Sequence, residues 1–193
     1  MDKTYLESIL FIRKSLMKRT QVLLFSASIS NKTIKQANTI TYNPVIYELS
    51  KENKELIPKT IKHIFIISDR RERIETLRKI AKAVNSDKTM IFINTKYDLE
   101  ESLQKLQYHN YNVAALAGNI DKQSKKKAVE DFQNGRLQYL LATDVAARGL
   151  QIDHVSTVIN VNLPEEPTEY LHRAGRCGRN NEQGLCISII TEN

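Results

Sequence analysis

The sequence predicts an α/β fold, a parallel sheet flanked by helices and preceded by a partial α/β stub. Two observations carry the prediction. Short apolar runs alternate with stretches whose apolar residues recur at helical spacing, which is how strands and helices of a parallel sheet read. Polar residues follow three of the runs directly, at the end of the strand where open parallel sheets bind ligands.

Taken in order, the amino-terminal segment carries Leu6, Ile9, Leu10, Leu16 and Met17 at helical spacing, then the run Val22 to Phe25, a candidate strand. From Pro44 to Lys59 the chain is charged and aperiodic, with Glu48, Lys51, Glu52, Lys54 and Glu55 ahead of Pro58, and reads as a linker. Beyond it the predicted strands are Ile64 to Ile67, Met90 to Ile93, Val113 to Leu116, Tyr139 to Ala142, Thr157 to Val161 and Leu185 to Ile190. Between them Ile74, Leu77, Ile80, Ala81 and Val84 form one helical stripe, Leu99, Leu103 and Leu106 a second, and Ala128, Val129 and Phe132 a third. These stripes are core.

With 193 residues, 41% of them hydrophobic, the chain fits one domain plus an extension with a proper core. Lys and Arg number 29 against 22 Asp and Glu, a net charge of +7 that favours nucleic acid or acidic surfaces. The two cysteines, Cys177 and Cys186, make neither a disulfide framework nor a zinc site. His63, His109 and His154 are scattered and read as surface or core residues, and no metal site is expected. The amino terminus lacks the apolar core of a signal peptide, and the apolar runs are too short to cross a membrane. Cytoplasm is the expected compartment, with an organelle or the nucleus as alternatives.

Ser26-Ala27-Ser28 follows VLLF, Asn94-Thr95 follows MIFI and Thr143-Asp144 follows YLLA. Each taken singly reads as a turn former or helix N-cap. Together, with an arginine-rich segment after a later strand, they point to a ligand. That segment, His172 to Arg179, spaces Arg173, Arg176 and Arg179 three apart. Were it helical, each step of three would drift only about 60° around the axis and hold like charges together. Such a cluster suits an anion, and guanidinium forks suit phosphate oxygens. A solvated arginine face is the alternative, but Gly175 and Gly178 weaken a helix and serve a solvated face poorly.

HRAGRCGR at 172–179 resembles the last motif of DEAD-box RNA helicases, and ATDVAARGL at 142–150 resembles the motif before it. The resemblance extends through Phe92-Ile93-Asn94-Thr95, Gln123 in DKQSKKKAVEDFQNG, and Ser26-Ala27-Ser28, which is similar to the family's Ser-Ala-Thr. The 193 residues hold no Gly-x-x-x-x-Gly-Lys-Ser/Thr phosphate loop, no Asp-Glu-Ala-Asp and no adenine-reading glutamine motif.

The resemblance implies a RecA-like parallel sheet. Residues 1–43 would be the tail of a first RecA-like domain, 44–59 a charged linker, and 60–193 the second domain, the helicase C-terminal domain. It implies the C-terminal half of an ATP-dependent RNA helicase, inactive by itself. A stand-alone, noncatalytic RNA-binding or regulatory module is the alternative. Arg176 and Arg179 are similar to the pair that reaches the γ-phosphate of ATP on the first domain. The resemblance implies nucleotide-binding positions at Gly149 and Gln151, with Gln151 standing where the family has an aspartate positioned for the ribose hydroxyls. Asn94, Thr95, Gln123, Lys126 and Thr143 resemble positions that contact the RNA backbone without reading sequence. Lys126 replaces the family's arginine, a point charge for a fork. Ser26, Ala27, Ser28, Asp144, Arg148, His172 and Arg173 would couple the domains. ATP and Mg2+ are the implied cofactors of the complete enzyme, neither expected to bind this chain tightly. RNA and a first RecA-like domain are the implied partners, with no membrane.

Overall fold

The computed structural model describes residues 3–17, 20–25, 31–47, 58–117, 120–150, 152–179 and 182–191. The chain divides into two compact units, Met1–Lys54 and Glu55–Asn193.

In the first unit α1 (Lys3–Ser15) and α2 (Asn31–Ile40) pack together, and Arg13 Nε donates to the Ile40 carbonyl at 3.1 Å. Leu6, Ile9 and Leu10 are half-buried on α1, whereas Leu16 and Met17 lie past its end and are exposed. The run Val22 to Phe25 is not a strand, and Phe25 is 91% exposed. A strand needs a neighbour to take its backbone hydrogen bonds, and the described residues of this unit hold none. Ser26, Ala27 and Ser28 lie outside the described residues, as do linker residues 48–57.

The second unit is built on a six-stranded sheet in the order β1-β6-β5-β2-β4-β3, with every pairing parallel. Its strands are β1 (Ile61–Ser68), β2 (Thr89–Phe92), β3 (Val113–Leu116), β4 (Tyr139–Ala142), β5 (Thr157–Asn160) and β6 (Gly184–Thr191). They are joined through α3 (Arg73–Val84), α4 (Lys96–Tyr108), α5 (Lys122–Gln133), α6 (Asp144–Ala147) and α7 (Pro167–Ala174). Every residue of β2, β4 and β5 is buried, which is why these runs read as continuous rather than alternating.

Successive residues of each strand feed opposite cores. Ile91, Leu141 and Ile159 meet Leu77 and Ile80 of α3 and Leu99 and Leu106 of α4. Met90, Leu140 and Val158 face the other way, toward Phe132 of α5, Ala146 and Ala147 of α6, and Ala174 of α7. Phe92 pairs with both Ala142 and Asn160, so the central strands end level. The loops after β2, β4 and β5 therefore lie side by side at one edge.

The arginine segment is helical only in its first part. Helix α7 ends at Ala174, so Arg173, Arg176 and Arg179 do not share a helix face. Gly175 caps the helix, and Gly178 adopts φ +66°, a conformation that ordinary side chains resist. The turn is held against the sheet: Thr60 Oγ1 donates to the Gly178 carbonyl at 3.1 Å, and a Cβ on Gly178 would sit 2.6 Å from Ile61 Cγ1. The chain must turn back here to enter β6, and a continuing helix could not do so.

Candidate functional site

Arg173 is the anchor of the edge. It stands in the last turn of α7, 1% exposed, and its guanidinium spends its donors on the adjacent loops. Nε and Nη2 reach the two oxygens of Asp144 at 2.7 and 2.6 Å, a bidentate fork. Nη2 also donates to Asn94 Oδ1 at 2.8 Å, and Nη1 to the Asn162 carbonyl at 2.7 Å and Asn160 Oδ1 at 3.4 Å. The guanidinium carbon lies 5.1 Å from the centre of the Phe92 ring. A buried cation is tolerated only with such complete pairing.

The expected RNA-contact residues are brought to this edge by strand ends and caps. Thr95 caps α4, its hydroxyl accepting the Asp98 N–H at 3.1 Å, and Thr143 caps α6 by accepting the Ala146 N–H at 3.3 Å. Thr95 and Asn94 are exposed, Thr143 half-buried. Gln123 and Lys126 are exposed near the start of α5, whose cap Asp121 accepts the N–H groups of Gln123 and Ser124. Lys126 makes a loose surface pair with Glu130 at 3.7 Å and stays available to an anion.

Arg176 and Arg179 leave the helix on the turn after Arg173. Arg176 is half-buried, donating from Nη1 to the Leu150 carbonyl at 2.6 Å and from Nη2 to the Ala147 carbonyl at 3.4 Å. Exposed Arg179 donates from Nε to the Gly175 carbonyl at 3.0 Å. Neither meets a carboxylate among the described residues. Burial, and then the charge of Arg179, lower the Arg176 pKa below the ordinary arginine value. A pair of guanidiniums oriented by carbonyls and left without an acid is suited to an anion. Arg176 also joins the turn to the segment that leads to Gly149, which has φ +73° and open space where a Cβ would lie. Gln151 lies outside the described residues.

Arg148 pairs with Glu169 of α7 at 2.7 Å, on a side chain still 66% exposed, and His172 is exposed on α7. His63 meets the Tyr170 hydroxyl at 2.6 Å and His154 meets Glu182 at 3.1 Å. His109 caps the end of α4 and stacks edge-on with Tyr108. Among the described residues no group of three His, Cys, Asp or Glu side chains could hold a metal ion.

Two residues of the site escaped sequence reasoning. Asn160 is fully buried in β5 and donates to Ser188 Oγ at 3.2 Å, and Asn162 contributes its side chain to Asn94 at 3.1 Å. A trace of them existed: VINVN sets two amides into an apolar run, where an apolar pair would serve a plain core better.

Comparison with known proteins agrees with this architecture. The family described as "Helicase conserved C-terminal domain" matches residues 72–181. The DEAD-box ATP-dependent RNA helicase CshC of Bacillus cereus is 34% identical over 179 residues, 92% of this chain and 45% of that protein. The ATP-dependent RNA helicase DBP3 of Saccharomyces cerevisiae is 33% identical over 186 residues, 94% of this chain and 36% of that one. The structure of S. cerevisiae Dbp5 bound to RNA and ADP BeF3 superposes with a TM-score of 0.84 at 28% identity, covering 97% of this chain and 49% of that one. The chain thus spans less than half the length of these curated relatives.

Proposed function

The chain belongs to the helicase conserved C-terminal domain family, in its DEAD-box RNA helicase form, and on that premise we propose what its edge does. Residues 60–193 work as the second RecA-like half of an ATP-dependent RNA helicase, 1–43 belong to the end of the first half, and 44–59 connect the two. The carboxyl edge binds the RNA sugar-phosphate backbone. The turn after α7 supplies Arg176 and Arg179 to a nucleotide held by a first RecA-like domain.

One observation carries the reading. A single buried arginine, Arg173, binds the loops after β2, β4 and β5, and the two arginines that meet no carboxylate among the described residues leave on the next turn. RNA-facing and nucleotide-facing residues are thereby built on one rigid base. ATP, when bound by a first RecA-like domain, would supply the phosphoanhydride to be hydrolysed. Arg176 and Arg179 would meet its terminal phosphate as cationic hydrogen-bond donors already oriented by the Leu150, Ala147 and Gly175 carbonyls. Mg2+ belongs, in this reading, with the nucleotide on the other half.

Toward RNA, Thr95, Thr143, Gln123 and Lys126 offer hydroxyl, amide and ammonium donors to phosphate and 2′-hydroxyl groups, which carry no base information. That Dbp5 was solved bound to RNA and ADP BeF3 supports the assignment. Titration of two unrelated single-stranded RNAs into the purified chain at two salt concentrations tests it. Weak, sequence-indifferent, steeply salt-dependent binding is expected. Tight, salt-insensitive binding to one sequence overturns it.

A further inference from the structure

We propose that Asn162 is a positioning residue for RNA contact: it fixes the Asn94–Thr95 loop and, through Arg173, joins that loop to the turn bearing Arg176 and Arg179. The inference rests on the RNA-backbone reading above.

Asn94, one of the residues that the motif resemblance assigns to RNA, is exposed yet bonded to the protein at three points. Its main-chain N–H donates to Asn162 Oδ1 at 3.1 Å, its Nδ2 to the Leu163 carbonyl at 3.0 Å, and its Oδ1 accepts from Arg173 Nη2 at 2.8 Å. Both ends of the side chain and the backbone donor are taken. Asn94 is therefore clasped, while its neighbour Thr95 retains a hydroxyl hydrogen after capping α4.

Asn94 and Thr95 are exposed, as are Lys96 and Tyr97 that open α4, so no packing covers this loop. Donors that bind phosphate must be held in place beforehand, or ordering them on binding consumes the gain. Here the clasp does the holding. Asn162 grips from both sides, its side-chain oxygen taking Asn94 and its main-chain oxygen taking Arg173 Nη1 at 2.7 Å. Arg173 is 1% exposed and forked onto Asp144. The Asn94 clasp is therefore anchored on a buried, paired residue three positions before Arg176.

The test measures binding of a fluorescein-labelled single-stranded oligouridylate to the 193-residue chain. Asn162→Ala is expected to weaken binding about three- to tenfold, the worth of one hydrogen bond, and Asn162→Asp, which keeps an oxygen acceptor, to recover most of it. Asn162→Ala combined with Thr95→Val should lose little more than the worse single variant, because both act through one loop. Combined with Lys126→Ala, on a separate helix, its effect should multiply. If Asn162→Ala does not fold, Asn162→Ser replaces it, its shorter side chain failing to reach the Asn94 N–H. Unchanged affinity of a folded Asn162 variant, absence of rescue by aspartate, or a multiplying effect with Thr95→Val overturns the proposal. No RNA binding by the unsubstituted chain overturns the RNA reading itself, and this inference with it.

Discussion

Asp144 and Arg173, 29 residues apart, meet in a two-pronged ion pair of 2.7 and 2.6 Å in which the arginine is 1% exposed and the carboxylate 25%. A surface pair of this geometry would add little to stability. This one is different because Arg173 has nowhere else to place its charge.

Asp144→Ala leaves the buried guanidinium with amide and carbonyl partners only. We expect a loss of about 3 kcal/mol of stability, the lower end for an unpaired buried charge, because Asn94, Asn160 and Asn162 still accept from it. Urea denaturation of the variant beside the unsubstituted chain measures this. A loss under about 1 kcal/mol would mean the amides alone suffice.

Arg176→Ala and Arg179→Ala should behave oppositely to Asp144→Ala. Neither arginine has a carboxylate partner among the described residues, so each substitution should cost about 1 kcal/mol or less. In an enzyme complete with its first domain, RNA-stimulated ATP turnover should fall by about 10³ or more, as for a lost arginine finger. Strong destabilisation of the chain, or turnover at the normal rate, would remove the nucleotide role.

Gly178→Ala places a methyl group 2.6 Å from Ile61 Cγ1 at a backbone angle of φ +66°. We expect about 2 kcal/mol of destabilisation or more, from strain and overpacking together. The arginine turn should shift with it, so turnover in the complete enzyme should fall even where the chain remains folded. Thermal melting and ATPase assay of the same preparation separate the two effects.

Cys177 is 1% exposed, and burial, followed by the nearness of Cys186, pushes its thiol from an ordinary 9.0 up to about 12. The folded chain holds the proton that the unfolded chain releases, so stability contributed by this group is complete below pH 9 and declines as pH rises toward 12. Native chain at pH 8 should resist alkylation by iodoacetamide at both cysteines and react after unfolding in urea. Rapid labelling of native Cys177 would contradict its burial.

Much of the fold was legible because burial leaves a mark on composition. Continuous runs such as MIFI and YLLA mean strands covered on both faces, and the stripes of α3, α4 and α5 mean helices laid over them. The polar residues after β2 and β4 lie where parallel sheets bind ligands, and caps explain Thr95 and Thr143 as much as ligands do. Val22 to Phe25 misled because a strand depends on a partner that a local run cannot reveal.

By itself, then, the sequence determined the parallel α/β class, the core faces and the edge at which the motifs gather. All of these follow from short-range periodicity and from where apolar surface must be hidden. Only the tertiary structure decided the fates of the three arginines. A spacing of three is equally compatible with one helix face and with a helix that stops, and here Gly178 stops against Ile61 on a strand more than a hundred residues away. Arg173 became an anchor, and Arg176 a cation held by carbonyls with no carboxylate partner among the described residues, because Asp144, Asn94 and Asn162 converge on one and not on the other. Such convergence is set by which strands become neighbours, and no local pattern encodes it.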